Sequence, residues 1–131
     1  MPSRGLFMGT AGVFGALAVG LGAFAAHGLQ DRLTPEMLDI FEVGNRYHMY
    51  HALAMLALAA GGNALWESAW TGAAALLWAC GIVVFSGSLY VLALTGQGWL
   101  GAVTPVAGLG FIVGWLCLLP AGWGLRKTSG S

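Results

Sequence analysis

Residues 5–27 read GLFMGTAGVFGALAVGLGAFAAH, an uncharged run that begins directly after Arg4 and is long enough to cross a bilayer as one helix. Within it Gly5, Gly9, Gly12, Ala16, Gly20, Ala23 and His27 follow spacings of four and three. They therefore share one helical face, along which a neighbouring backbone can approach closely. A cleaved secretory signal is the competing reading, since Arg4 precedes an apolar core and Ala23-Phe24-Ala25 resembles a cleavage site. The apolar stretch is long for such a segment.

The rest of the chain repeats the theme. Residues 47–65, 70–95 and 99–125 are further apolar stretches, joined by short turns around Glu67-Ser68 and Gly96-Gln97-Gly98. With 58% hydrophobic residues, 8% charged residues and a mean hydropathy of +0.79, the 131-residue chain has too little polar surface for a water-soluble domain. Four spans of about 20 residues use up the chain, so one domain is expected. Short turns force antiparallel neighbours. The expected fold is all-α: an integral membrane up-down-up-down four-helix bundle whose main partner is the lipid bilayer. Zero formal net charge and the lack of a basic run argue against nucleic acid. Cys80 and Cys117 lie inside apolar stretches and read as packing residues rather than a disulfide framework or zinc motif.

Residues 28–46 carry Asp31, Arg32, Glu36, Asp39, Glu42 and Arg46 and must lie outside the hydrocarbon. Thr34-Pro35-Glu36 marks a helix start: a hydroxyl cap, a proline where no amide donor is needed, then an acid at the positive helix end. The expectation is a short helix over about 35–46, lying at the interface or running straight into the second span. Glu42 and Arg46, four apart, are placed to pair. Arg4, Arg126 and Lys127 on one side against Arg32 and Arg46 on the other place both termini in the cytoplasm. Trp66, Trp70 and Trp123 would mark one interface, and Tyr47, Tyr50 and Trp99 the other. Gly110 and Gly114 add a second small-residue surface, which either closes the bundle or makes a homo-oligomer, and Pro105 is expected within about a turn of its helix start.

Tracing the spans up and down brings His27, Tyr47, His48, His51, Ser86, Ser88, Tyr90 and Thr104 to a similar depth, toward the side opposite the termini. One shared polar cluster is expected there, with His27, His51 and Tyr90 at its centre. Three readings compete. Imidazoles with Met49 or Met55 could hold copper or zinc, although no metal-site spacing is present. His27 and His51 could be axial ligands of a haem. Otherwise the polar groups satisfy one another and fix helix register, and no cofactor is expected. Catalysis is disfavoured, since no serine sits in a nucleophile elbow and the acids are not placed to orient a histidine. A proton or solute path would need ionisable groups at the midplane, and the span assignment puts none there.

Ala23-Phe24-Ala25-Ala26-His27-Gly28-Leu29, Tyr47-His48-Met49-Tyr50-His51-Ala52-Leu53, Phe85-Ser86-Gly87-Ser88-Leu89-Tyr90 and Leu100-Gly101-Ala102-Val103-Thr104-Pro105 resemble, in order, the signatures of domain-of-unknown-function family 423. Ala25 and Ala107 stand where glycine would be expected, and His48 where the family often has glutamine. The resemblance implies a small four-span protein of the cell inner membrane, with transmembrane protein 256 as animal relative. It implies no particular activity, which leaves a binding or accessory protein, or an assembly subunit of a larger complex.

Overall fold

A computed structural model describes residues 3–130, and every regular element in it is helical. Four helical rods follow one another. The first is α1 (Arg4–Phe24), prolonged by a π-helical turn over Ala25–Leu29. The second is α2 (Pro35–Ala60), after which comes the single turn α3 (Asn63–Trp66). The third joins α4 (Ala69–Gly81), a π-helical segment (Ile82–Ser86) and α5 (Gly87–Thr95), and the fourth joins α6 (Leu100–Leu116) to α7 (Leu118–Ser129).

Helix starts and stops follow local chemistry. The Ser3 hydroxyl accepts from the Leu6 amide at 3.2 Å and Thr34 from Met37 at 3.2 Å, each satisfying an otherwise orphaned donor. α5 ends at Gly96, whose φ of 72° is open to glycine at no steric cost and turns its amide back to the Leu92 carbonyl. The fourth rod breaks at Cys117 because Pro120 has no amide for the Leu116 carbonyl.

Three rods are long and apolar enough to cross a membrane: Arg4–Leu29, Ala69–Thr95 and Leu100–Ser129. α2 is long enough but not apolar enough, since Asn45, Arg46, His48 and His51 interrupt its middle. Consecutive rods pack antiparallel. Arg4 donates to the Gly61 carbonyl and the Asn63 side chain, both at 3.0 Å, while Asn45 reaches the Ala18 carbonyl. Gly44 meets Ser86 and His51 meets Trp78; Ser88 meets Thr104 and Trp78 meets the Phe111 carbonyl. No extended contact joins α1 to α6 or α7, so α2 and the third rod form the middle of an open row.

Several expectations change. The helix over 35–46 is not separate but takes the second of its two expected forms: it runs straight on as the first part of α2, because Gly44 serves close packing rather than chain reversal. A Cβ there would lie 3.0 Å from Leu89 and 3.3 Å from the Ser86 carbonyl. α2 stops at Ala60 and not 65, where Gly61-Gly62 intervenes. Glu42 and Arg46 are both exposed and make no ion pair among the described residues, and Pro105 falls inside α6, beyond its first turn, where it withholds a donor from the Gly101 carbonyl. The glycine face of α1 is left unfilled: a Cβ at Gly5, Gly9, Gly12 or Gly20 would meet nothing within 4 Å, and Gly12 and Ala16 border an open groove against Met49, Leu53 and Leu56 of α2. The first rod packs instead through Phe7, Ala11 and Ala18 of α1 and Ala25 and Leu29 of the π-helical turn. Close approach happens elsewhere, at Gly81 and Gly114, where a Cβ would lie 2.5 Å from Phe111 and from Trp78. Trp66 is no surface anchor, since it stacks on Phe7 and donates to the Leu58 carbonyl at 2.7 Å.

Candidate functional site

His48 and His51 fall near the middle of α2, not at one end of a span, and they face different neighbours. Both are 4% exposed. His51 Nδ1 lies 2.7 Å from the Tyr47 carbonyl, which can only accept, so Nδ1 carries the proton. Nε2 is then a bare acceptor, and the Trp115 indole N–H donates to it at 3.1 Å. The two bonds hold the imidazole neutral and in one tautomer. Its face lies on Phe111, with ring centroids 3.6 Å apart and planes within 11°, and Trp78 and Trp115 meet its edges.

His48 looks toward α1. Its Nδ1 is 2.9 Å from the Tyr90 hydroxyl, and the Asn45 amide donates both to that hydroxyl at 3.3 Å and to the Ala18 carbonyl at 2.8 Å. With Asn45 supplying one proton, the Tyr90 oxygen keeps its own for His48 Nδ1, which leaves the proton of His48 on Nε2. That atom is buried facing the Phe14 backbone and lacks a well-formed hydrogen bond among the described residues.

The hydroxyls serve the backbone. Ser86, fully buried, donates to the Gly44 carbonyl at 2.7 Å, beside the close approach of α2 and the third rod at Gly44. Ser88 lies 2.8 Å from the Phe85 carbonyl, in the π-helical segment whose wider turn disturbs the regular ladder, and 2.7 Å from Thr104, which also reaches the Leu100 carbonyl.

The eight candidates therefore do not form one pocket. Tyr90 and His48 share a network, Ser88 and Thr104 another, and Tyr47 and His51 a third, while Ser86 acts alone. His27 lies on the π-helical turn, exposed and without a hydrogen bond among the described residues. Its chain neighbours Ala25 and Leu29 pack around Phe41 and Ala93, a different cluster from the aromatic surroundings of His51. The haem reading fails on both counts: the two imidazoles are not brought together, and both nitrogens of His51 are engaged. Among the described residues no three of His, Cys, Asp and Glu gather as a metal site would require.

What the arrangement does create is a cleft of about 360 Å³ on one side of α2. Tyr47 and His51 form one wall, Phe85 the floor, and Pro105, Gly108, Leu109, Phe111, Ile112 and Trp115 the wall from α6. α2 and α6 share no extended backbone contact, so side chains alone bridge the gap. The cleft opens sideways, where Tyr47, Leu109, Ile112 and Trp115 are all exposed. Sequence reasoning missed Asn45, Phe85, Phe111 and Trp115. Phe111 and Trp115 are one turn apart and so were visible as one helical face, and Asn45 was visible as the residue one turn before His48.

The sequence signature of a family described as "Protein of unknown function (DUF423)" matches residues 21–108, a range that contains all eight candidates. Among similar proteins, UPF0382 membrane protein YwdK of Bacillus subtilis is 44% identical over 105 residues, covering 80% of this chain and 85% of the relative. UPF0382 membrane protein SSP2132 of Staphylococcus saprophyticus is 47% identical over 104 residues, covering 79% and 84%. A UPF0382 membrane protein of Haemophilus influenzae is 39% identical over 104 residues, covering 79% and 82%. No solved structure matches the chain.

Proposed function

Since the chain belongs to the DUF423 family, whose relatives are named membrane proteins, we propose that it is a single-domain four-span protein of the cell inner membrane that binds a lipid-soluble molecule in the cleft beside His51. Antiparallel packing of consecutive rods supports the up-and-down arrangement. α2, with 26 residues, is about 39 Å long, more than the roughly 30 Å of a bilayer core. Its exposed face changes from Glu36, Asp39, Glu42 and Arg46 to Tyr47 and Tyr50 and then to Leu53 and Leu56. That order suits a helix passing from water through the headgroups into hydrocarbon, with the long stem of Arg46 carrying its charge outward. Arg4 lies at the 61–68 turn, and Gly124 and Leu125 line a hollow with Glu67 and Ser68, so both termini belong to the end that we assign to the cytoplasm.

The observation that carries the binding role is the cleft itself. It is ligand-sized, mostly apolar and open to the side, with a buried imidazole fixed in its wall. Native mass spectrometry of the purified chain tests the reading. A lipid-soluble molecule should stay with the wild type and be lost from Gly108→Leu, whose side chain grows into the cleft. Identical spectra for the two would rule the cleft out. Cysteines placed in the 30–34 and 96–98 turns should both react with an impermeant maleimide from outside the cell; protection of one alone would reject four spans, and protection of both would reverse the assigned orientation.

The exposed glycine face of α1 favours an added role as an assembly partner. A smooth, unfilled small-residue face is the surface on which membrane helices associate, with a second copy or with a subunit of a larger complex.

A further inference from the structure

Taking that cleft as a binding site, we propose that its ligand is a neutral, flat, lipid-soluble ring carrying a hydrogen-bond-accepting oxygen, of the quinone type, with its tail lying in the bilayer. The walls select for shape. Tyr47 lies within 14° of the His51 plane and 19° of the Phe111 plane, with centroids 6.2 and 6.3 Å away, and Phe85 is 5.2 Å from both Tyr47 and Phe111. A flat ring extends such a stack, whereas a flexible acyl chain gains nothing from the orientation of the rings.

The polar inventory selects for chemistry. His51 Nδ1 is bound to the Tyr47 carbonyl, and its Nε2 and the Trp115 N–H are bound to each other. The Tyr47 hydroxyl has no hydrogen bond among the described residues, which leaves it as the one unspent side-chain donor on the walls. At headgroup level, where Tyr47 is 42% exposed, that donor can turn into the cleft, and a ring oxygen there accepts from it in place of water. No charged side chain lines the cleft, so a phosphate, ammonium or sugar headgroup would go in unpaired. Leu109 and Ile112, 60% and 56% exposed, flank the opening and offer an aliphatic track for a tail.

The test uses the full chain in lipid nanodiscs, with empty nanodiscs as background, and compares a short-tailed naphthoquinone with a naphthalene of the same tail by equilibrium binding. The naphthoquinone should bind saturably and more tightly. Tyr47→Phe, which removes a hydroxyl that has no internal partner, should weaken naphthoquinone by about five- to tenfold, the worth of one hydrogen bond, and leave naphthalene unchanged. Gly108→Leu should abolish both. If the two rings bind alike, or Tyr47→Phe changes nothing, the ligand class is wrong while the cleft survives. If neither ring binds saturably, or Gly108→Leu still binds both, the cleft is no binding site and both proposals fall.

Discussion

Ser88 and Thr104 have two hydroxyl protons between them for three close oxygen pairs, so the hydrogens must run as a chain. Either Thr104 donates to Ser88 and Ser88 to the Phe85 carbonyl, or the direction reverses toward the Leu100 carbonyl. Such a pair adapts without cost when one bond shifts. The Asn45–Tyr90–His48 set cannot, because Nε2 of His48 already lacks a well-formed bond among the described residues. Tyr90→Phe therefore leaves the other imidazole nitrogen without a partner in an apolar interior, and should cost about 1–3 kcal/mol. Ser86→Ala removes one interhelical bond of about 0.6 kcal/mol and leaves only a carbonyl that its own helix can serve. Thermal unfolding of both variants in mild detergent should rank Tyr90→Phe clearly below Ser86→Ala, and equal midpoints would mean that the tyrosine network adds nothing to stability.

Among the elements, α2 carries the most varied load: a capped, charged start, two buried histidines and an aliphatic end. Thr34→Ala removes the bond to the Met37 amide and should cost about 1 kcal/mol, seen as faster amide exchange confined to the first turn of α2. Glycines separate sharply by position. Gly114 has Trp78 against it and Gly81 has Phe111, whereas Gly9 has open space. Gly114→Leu should prevent α6 from seating on α4 and abolish recovery of folded protein, while Gly9→Leu should leave the monomer's unfolding temperature within a degree or two. Overpacking a closed contact costs about 1–3 kcal/mol or more, and an outward position has nothing to overpack. Recovery of folded Gly114→Leu at wild-type yield would contradict the packing described.

At the scale of the whole molecule the rods stand in an open row, with α1 on one flank and α6 with α7 on the other. Because the α1 glycine face is exposed and unfilled, single cysteines at Gly9 or Ala16 in a Cys80→Ser background should cross-link between copies, or to a partner subunit, in native membranes. Monomer alone at both positions would leave the face as plain lipid contact. Much of this architecture was legible beforehand. Uncharged length after Arg4, the Thr34-Pro35-Glu36 start and the Gly96 turn fixed where helices run and reverse, because span length and capping are local properties of the chain. Rotation about each helix axis is not local. Whether Gly9 or Phe7 faces the neighbour, and whether His27 joins His51, depends on which side chains fit between two backbones. The sequence thus determined an all-helical membrane protein and its turns. Only tertiary packing decided that the glycine stripe stays unfilled, that the two buried histidines look different ways, and that a cleft opens beside one of them, since those follow from the mutual fit of surfaces far apart in the chain.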